Sequence, residues 1–230
     1  MPDYQLLIFD WDGTLADSIG RIVGSMHCAA DACDLPRRSD DAVKGIIGLA
    51  LPEAIALLYP QLRDMAQIEP FLNAYTEHYL AQEHEPSRLF PGVVESLAAF
   101  REQGYLLAVA TGKTRRGLQR MLEEQGWQNY FDITRCADET AGKPDPLMLH
   151  EILAHCGVAT ERALMVGDSS FDLHMARNAG MDSVAVGYGA QALDSLRDYG
   201  PRLAINEFSE LRAWLEGQGV VEAVEVGGYV

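Results

Sequence analysis

Short apolar, β-favouring runs that stop abruptly and hand over to helical stretches are what most constrain this chain. They occur at Gln5–Phe9, Tyr105–Ala110, Ala163–Val166 and Ser183–Val186, with a weaker run at Arg202–Ile205. Segments with helical spacing fall between or after the later ones: Val93–Gln103, Thr114–Gln125, Pro146–Cys156, Phe171–Ala179 and Glu207–Glu216. Strands alternating with helices predict an α/β fold, a parallel sheet with crossover helices on its faces. In such a sheet ligands bind beyond the carboxyl ends of the strands. The acidic or hydroxyl residues that directly follow an apolar run are Asp10, Thr111 and Asp168.

The alternation is interrupted early. From about Ala16 to Arg88 no strand is evident, and helical spacing dominates, as in Pro52–Tyr59 and Pro70–Gln82. Turns are marked by Leu35-Pro36, Gly45, Gly48, Tyr59-Pro60 and Glu85-Pro86, and Phe90-Pro91-Gly92 marks the return. The expected organisation is a core of residues 1–15 and 89–230 carrying a helical insert over 16–88. The last stretch, Gly217–Val230, alternates Val and Glu between glycines and reads either as a final strand or as a loose tail.

Composition narrows the function. Hydrophobic residues make up 48% of 230 positions, enough for a substantial core. No stretch approaches the ~18 apolar residues that span a bilayer. The start, MPDYQLLIFD, lacks a basic leader, so the expectation is a soluble, cytoplasmic protein with no membrane partner. Cys28, Cys33, Cys136 and Cys156 form no C-x-x-C pair, which points to free thiols. A net charge of −16 argues against nucleic acid, which needs clustered Lys and Arg. It leaves a small anionic substrate open, because a metal and a few placed cations reverse the potential locally. Monomer and homodimer are equally compatible with the sequence.

Four elements carry chemistry. In LIFDWDGTLADS, Asp10 and Asp12 end an apolar run, and a turn at Gly13 can bring both carboxylates to one pocket. One carboxylate can attack phosphorus and a second can move the leaving-group proton; an ordinary Asp-Gly turn is the plainer alternative. In AVATGK, Thr111 and Gly112 offer a hydroxyl and backbone N–H groups at a helix start, a natural phosphate site. Thr111 as a simple helix cap remains open. In AGKPDP, Lys143 precedes a helix and can neutralise a phosphate or a carboxylate, or else face solvent. In LMVGDSSFDLHMARNAG, Asp168 and Asp172 can meet near the strand ends as ligands for a hard cation, magnesium above all. An N-cap and a favourable first-turn acid would be the structural alternative.

Taken together and in this order, the four elements resemble the signature motifs of the haloacid-dehalogenase-like hydrolases, and they span Asp10 to Gly180. The resemblance implies a Rossmann-like core with an inserted α-helical cap domain, as in phosphoglycolate-phosphatase-like members. It implies Asp10 as nucleophile, Asp12 as general acid/base, and Thr111, Gly112 and Lys143 on the transferring phosphoryl. Mg2+ would be bound by Asp10, the backbone carbonyl of Asp12 and Asp168, with Asp172 in support. The implied activity is hydrolysis of a small-molecule phosphate ester, 2-phosphoglycolate-like or a sugar phosphate, through a phospho-aspartyl intermediate.

Position 12 separates look-alikes. Haloacid dehalogenases lack this second aspartate, as do the phosphonoacetaldehyde hydrolases, which share a tryptophan at the place of Trp11. The β-phosphoglucomutases keep both aspartates but place a histidine where this chain has Ile22. A phosphosugar mutase is therefore the enzymatic rival. A silent binding protein on the same fold would be expected to have lost Asp10, Asp12, Lys143 or Asp168, and none is lost. Lys44, Arg21 and the cluster Lys113, Arg115 and Arg116 are further candidates for anion contact, each also readable as a surface cation. His174 reads as a surface or structural residue.

Overall fold

The structure is a computed structural model and describes residues 3–82 and 88–217. The chain opens on β1 (Leu6–Phe9) and passes through β2 (Ala16–Asp17). It then enters four helices, α1 (Ile19–Ala32), α2 (Asp40–Lys44), α3 (Leu51–Leu58) and α4 (Met65–Ala81), and returns through β3 (Arg88–Leu89). Beyond it come α5 (Val93–Glu102), β4 (Leu106–Thr111), α6 (Arg115–Glu124), β5 (Ile133–Cys136) and α7 (Leu147–Cys156). The remaining elements are β6 (Ala163–Gly167), α8 (Ser170–Asn178), β7 (Asp182–Val186), α9 (Leu193–Arg197), β8 (Leu203–Ile205) and α10 (Phe208–Leu215).

Six strands form one parallel sheet in the order β5-β4-β1-β6-β7-β8. All four β1 residues are fully buried because helices cover both faces. Leu7 and Phe9 join an apolar cluster with Leu97, Phe100 and Leu118, whereas Leu6 and Ile8 pack with Met148, Leu149 and Ile152. A strand covered on both sides needs apolar residues at every position, which is why LLIF reads as an unbroken run. After β5 the chain crosses to the other side of β1, and a crevice opens at that reversal beyond the strand ends.

The helices before β3 build an apolar centre of their own. Met26 and Ala29 of α1, Ile55 of α3, and Ile68 and Phe71 of α4 meet there, with the rings of Tyr59 and Phe71 5.2 Å apart. Where the sequence shows no strand, the chain leaves and re-enters through a small antiparallel ribbon, Ala16 opposite Leu89 and Asp17 opposite Arg88. Two residues per strand are too few to generate a periodic signal. Edge strand β5 likewise escapes sequence reading, because Thr134 and Arg135 sit between its buried ends. Among the described residues, no helix is long and apolar enough to cross a membrane. The tail from 218 onward and the Glu85-Pro86 turn lie outside the described residues.

Phe71 is fully buried in the helical centre. Truncation of a phenylalanine in such a site costs about 3–5 kcal/mol. Phe71→Ala should lower the urea midpoint accordingly, and an unchanged midpoint would show that these helices do not share the cooperative unit.

Candidate active site

Asp10 extends β1 by one residue, its N–H donating to the carbonyl of Val166 at 3.0 Å. The chain then turns sharply, with the N–H groups of Leu15 and Ala16 donating to the carbonyl of Trp11. Gly13 occupies the left-handed region at φ 81°, and a Cβ there would lie 2.1 Å from a carboxylate oxygen of Asp168. Only glycine lets the turn come this close. Trp11 points into the core, edge-on to Trp127 and Phe131.

At the end of β6, Ser169 caps α8 and forms a capping box with Asp172. Asp168 is thus free of the capping role that the sequence left open for it. One of its oxygens accepts from Thr14 Oγ1 at 3.0 Å and the other from the Ala190 N–H at 2.7 Å. Sequence reading singled out neither partner, although Thr14 lies inside the first motif.

Asp10, Asp168 and Asp172 are all buried, and ligand oxygens from the three lie within 4.8 Å of one another. The fully buried Lys143 ammonium stands 2.7 Å from Asp10 Oδ1 and 2.6 Å from Asp172 Oδ1. Burial pushes Asp10 up to about 7; Lys143 opposes the rise, and the charges of Asp172 and Asp12 add to it. Asp168 is also raised, by burial first and then by Asp10 and Asp172. For Lys143, burial works downward but the two carboxylates prevail, and its pKa rises. Three carboxylates against one ammonium leave excess negative charge, and Asp10 Oδ2 is buried without a hydrogen-bond partner. An all-oxygen, electron-rich pocket of this kind fits Mg2+.

Asp12 belongs to a different environment. Its carboxylate pairs with Lys113 Nζ at 3.0 Å and accepts from the Ser18 hydroxyl. Burial works to lower the Lys113 pKa, yet Asp12 outweighs it and the lysine is raised. The helix start after β4 is capped by Thr114, not by Thr111. Thr111 instead ends the strand, with its hydroxyl accepting from the Lys113 N–H at 3.2 Å. Asp10, Asp12, Thr111 and Gly112 all line one cavity of about 250 Å³. Gly112 is needed for close approach: a Cβ there would sit 2.5 Å from the Gly48 carbonyl oxygen, in the loop between α2 and α3.

The other candidates separate. Lys113 and Arg116 line the cavity, while Arg115 turns away to Glu139 and Thr134. Arg21 stacks over Tyr79 and donates to the carbonyl of Gln82, tying α1 to α4. Lys44 is not among the cavity-lining residues, and His174 is exposed. Ile22, which does line the cavity, has no proton to offer a substrate.

Residues 7–186 match the haloacid dehalogenase-like hydrolase family. The "Probable phosphatase IndB" of Dickeya dadantii is 36% identical over 211 residues, covering 90% of this chain and 91% of that protein. A phosphoglycolate phosphatase of Agrobacterium fabrum is 33% identical over 215 residues, covering 91% of each. A haloacid dehalogenase-like hydrolase structure from Bacteroides fragilis superimposes with a TM-score of 0.83 at 27% identity, over 90% of this chain and 99% of that one. The chain belongs to the haloacid dehalogenase-like hydrolases, among their phosphoglycolate-phosphatase-like members, and is an enzyme of the phosphatase class.

A carboxyl at about 7 when folded, against an ordinary 3.8, makes stability fall as pH rises across that interval. In metal-free buffer, Asp10→Asn removes this loss. The melting temperature of Asp10→Asn relative to the native protein should therefore climb from about pH 4 to about pH 7. A flat or falling difference would contradict the buried, uncompensated charge.

Proposed function

We propose that this enzyme hydrolyses a small-molecule phosphate monoester with Mg2+ through a phospho-aspartyl intermediate on Asp10. The reading rests on one observation above all. The Asp10 carboxylate is buried, holds Lys143 on one oxygen, leaves the other without a hydrogen bond, and opens on the cavity that Asp12 and Thr111 share. A nucleophile, a proton carrier and a phosphoryl clamp thus surround one point.

In this scheme an Asp10 oxygen attacks phosphorus as the bond to the leaving oxygen breaks, and Asp12 delivers a proton to that oxygen. Asp12 then takes a proton from water, which attacks the phospho-aspartate, releasing inorganic phosphate and restoring Asp10. Thr111 and the Gly112 N–H hold the phosphoryl, and Lys143 offsets the charge that gathers beside Asp10. Asp10, Asp168 and the Asp12 carbonyl, with Asp172 in support, would hold Mg2+, which would supply positive charge to offset that of the transferring phosphoryl. Ser18 and Lys113 orient the Asp12 carboxylate.

The helical segment, residues 16–88, serves as a cap over a core of residues 1–15 and 89–230. Its loop already rests against Gly112, and closure of this kind excludes bulk water from the reaction. The free cysteines suit a cytoplasmic enzyme. The names of the relatives make 2-phosphoglycolate the first ester to assay, followed by sugar phosphates.

Phosphate release from a panel of esters tests the mechanism. Chelation should abolish turnover, and Asp10→Asn should lower kcat by at least about 10³-fold. Substantial release by that variant would remove Asp10 as nucleophile. In a thermal melt, Mg2+ should raise the melting temperature of the native protein but not of Asp168→Asn, since only the intact oxygen set binds it. An equal shift in both would place the metal elsewhere.

A further inference from the structure

The geometry points to a substrate whose leaving group carries an uncharged, flat apolar body, seated between the cap and the reacting end of the sheet. This inference rests on the phosphatase reading and specifies its substrate. The two walls of the cavity differ in kind. The core contributes Asp10, Asp12, Thr111 and the basic side chains of Lys113, Arg116 and Arg120. The helical segment contributes Ile22, Ile47, Leu51, Tyr75, Tyr79 and Leu80, and among the described residues none that it adds to the lining is charged.

A phosphoryl group held at Asp10 and Thr111 directs its ester substituent towards this second wall. A carboxylate placed there, as in glycolate, would exchange water for aliphatic side chains and aromatic faces, while the lysine and arginines that line the cavity stand on the opposite, core wall. Lys113, the cation next to Asp12, is engaged by that carboxylate at 3.0 Å and by the Tyr79 hydroxyl at 3.3 Å. The wall is built instead to meet a ring. Tyr75 and Tyr79 stand stacked, 5.8 Å between centroids and 21° between planes. Arg21 and Lys113 each lie 5.2 Å from the Tyr79 centroid and fix that ring in place. Aromatic faces prefer offset or edge-on partners of their own kind.

Size agrees with the chemistry. An apolar cavity of ~150 Å³ accepts benzene. The present cavity, at about 250 Å³, has room for a ring beside a phosphoryl group.

Benzyl phosphate and 2-phosphoglycolate are both esters of primary alcohols, so their comparison reads recognition more than leaving-group chemistry. With Mg2+ and the native protein, kcat/KM for benzyl phosphate should exceed that for 2-phosphoglycolate at least tenfold. Tyr75→Leu should shrink that ratio about fivefold, chiefly through KM for the benzyl ester. Because the ratio is internal to one preparation, loss of folded protein cancels from it. A preference for 2-phosphoglycolate, or a ratio indifferent to Tyr75→Leu, overturns the inference; the former would move recognition to Arg116 and Arg120. Acetyl phosphate, which has no comparable body, separates the two levels. Turnover of acetyl phosphate with poor turnover of the benzyl ester refutes the substrate class alone, whereas no turnover of any ester refutes the phosphatase reading beneath it.

Discussion

A lysine ammonium without access to water, 2.7 Å from Asp10 and 2.6 Å from Asp172, holds the carboxyl end of this sheet together. Ionised carboxylates removed from water are each unfavourable by several kcal/mol unless paired. Three meet here, and the sheet makes the meeting unavoidable. β1 and β6 are parallel neighbours with Phe9 opposite Val166, so the residues that follow, Asp10 and then Asp168, emerge side by side. The loop before α7 brings Lys143 to them, and α8 brings Asp172 up from below, its second oxygen held by Ser169 at 2.6 Å. One ammonium offsets only part of the charge. The remainder is negative charge of the kind a hard divalent cation would offset, the feature on which the proposed Mg2+ site rests.

The cavity above this cluster divides its labour by wall. Asp10 and Thr111 stand at strand ends, where backbone pairing fixes their position within the sheet. The apolar lining belongs to the helical segment, which carries its own apolar centre. Each wall is thus backed by an apolar centre of its own. The price is a close seam, seen where the Gly48 carbonyl lies so near Gly112 that a methyl group would not fit.

Much of this was legible in the sequence, for definite physical reasons. Central strands covered on both faces must be apolar throughout, so β1, β4, β6 and β7 announce themselves to within a residue or so. Asp10, Thr111 and Asp168 stand out because each comes where such a run ends. What escaped lacks a local signal. β5 lies at the sheet edge with Thr134 and Arg135 between its buried ends, and the β2–β3 ribbon has two residues per strand. Tertiary pairing was equally silent. Nothing in the order of residues shows that Thr14 and the Ala190 N–H hold Asp168, or that Ser169 takes over the capping role. Lys113 looked like one member of a surface cluster; only the fold separates it from Arg115, sending one to Asp12 and the other to Glu139.

Two aspartates separated by a single residue thus occupy opposite settings. Asp10 continues the strand into a dry cluster where its neighbours are mostly of like charge, the setting on which its proposed role as nucleophile rests. Asp12 lies past the end of that strand and meets a cation and a hydroxyl at the cavity wall. Divergent environments of this sort are how two identical side chains take on different tasks. The second setting has a further property. Lys113 touches Asp12 on one side and Tyr79 on the other, and Tyr79 stacks on Tyr75. Asp12 is therefore in physical contact, through one lysine, with the aromatic surface of the helical segment. The seam between the two walls is thus bridged at one point by a side chain of the core, Lys113, which holds Asp12 and the Tyr79 ring together.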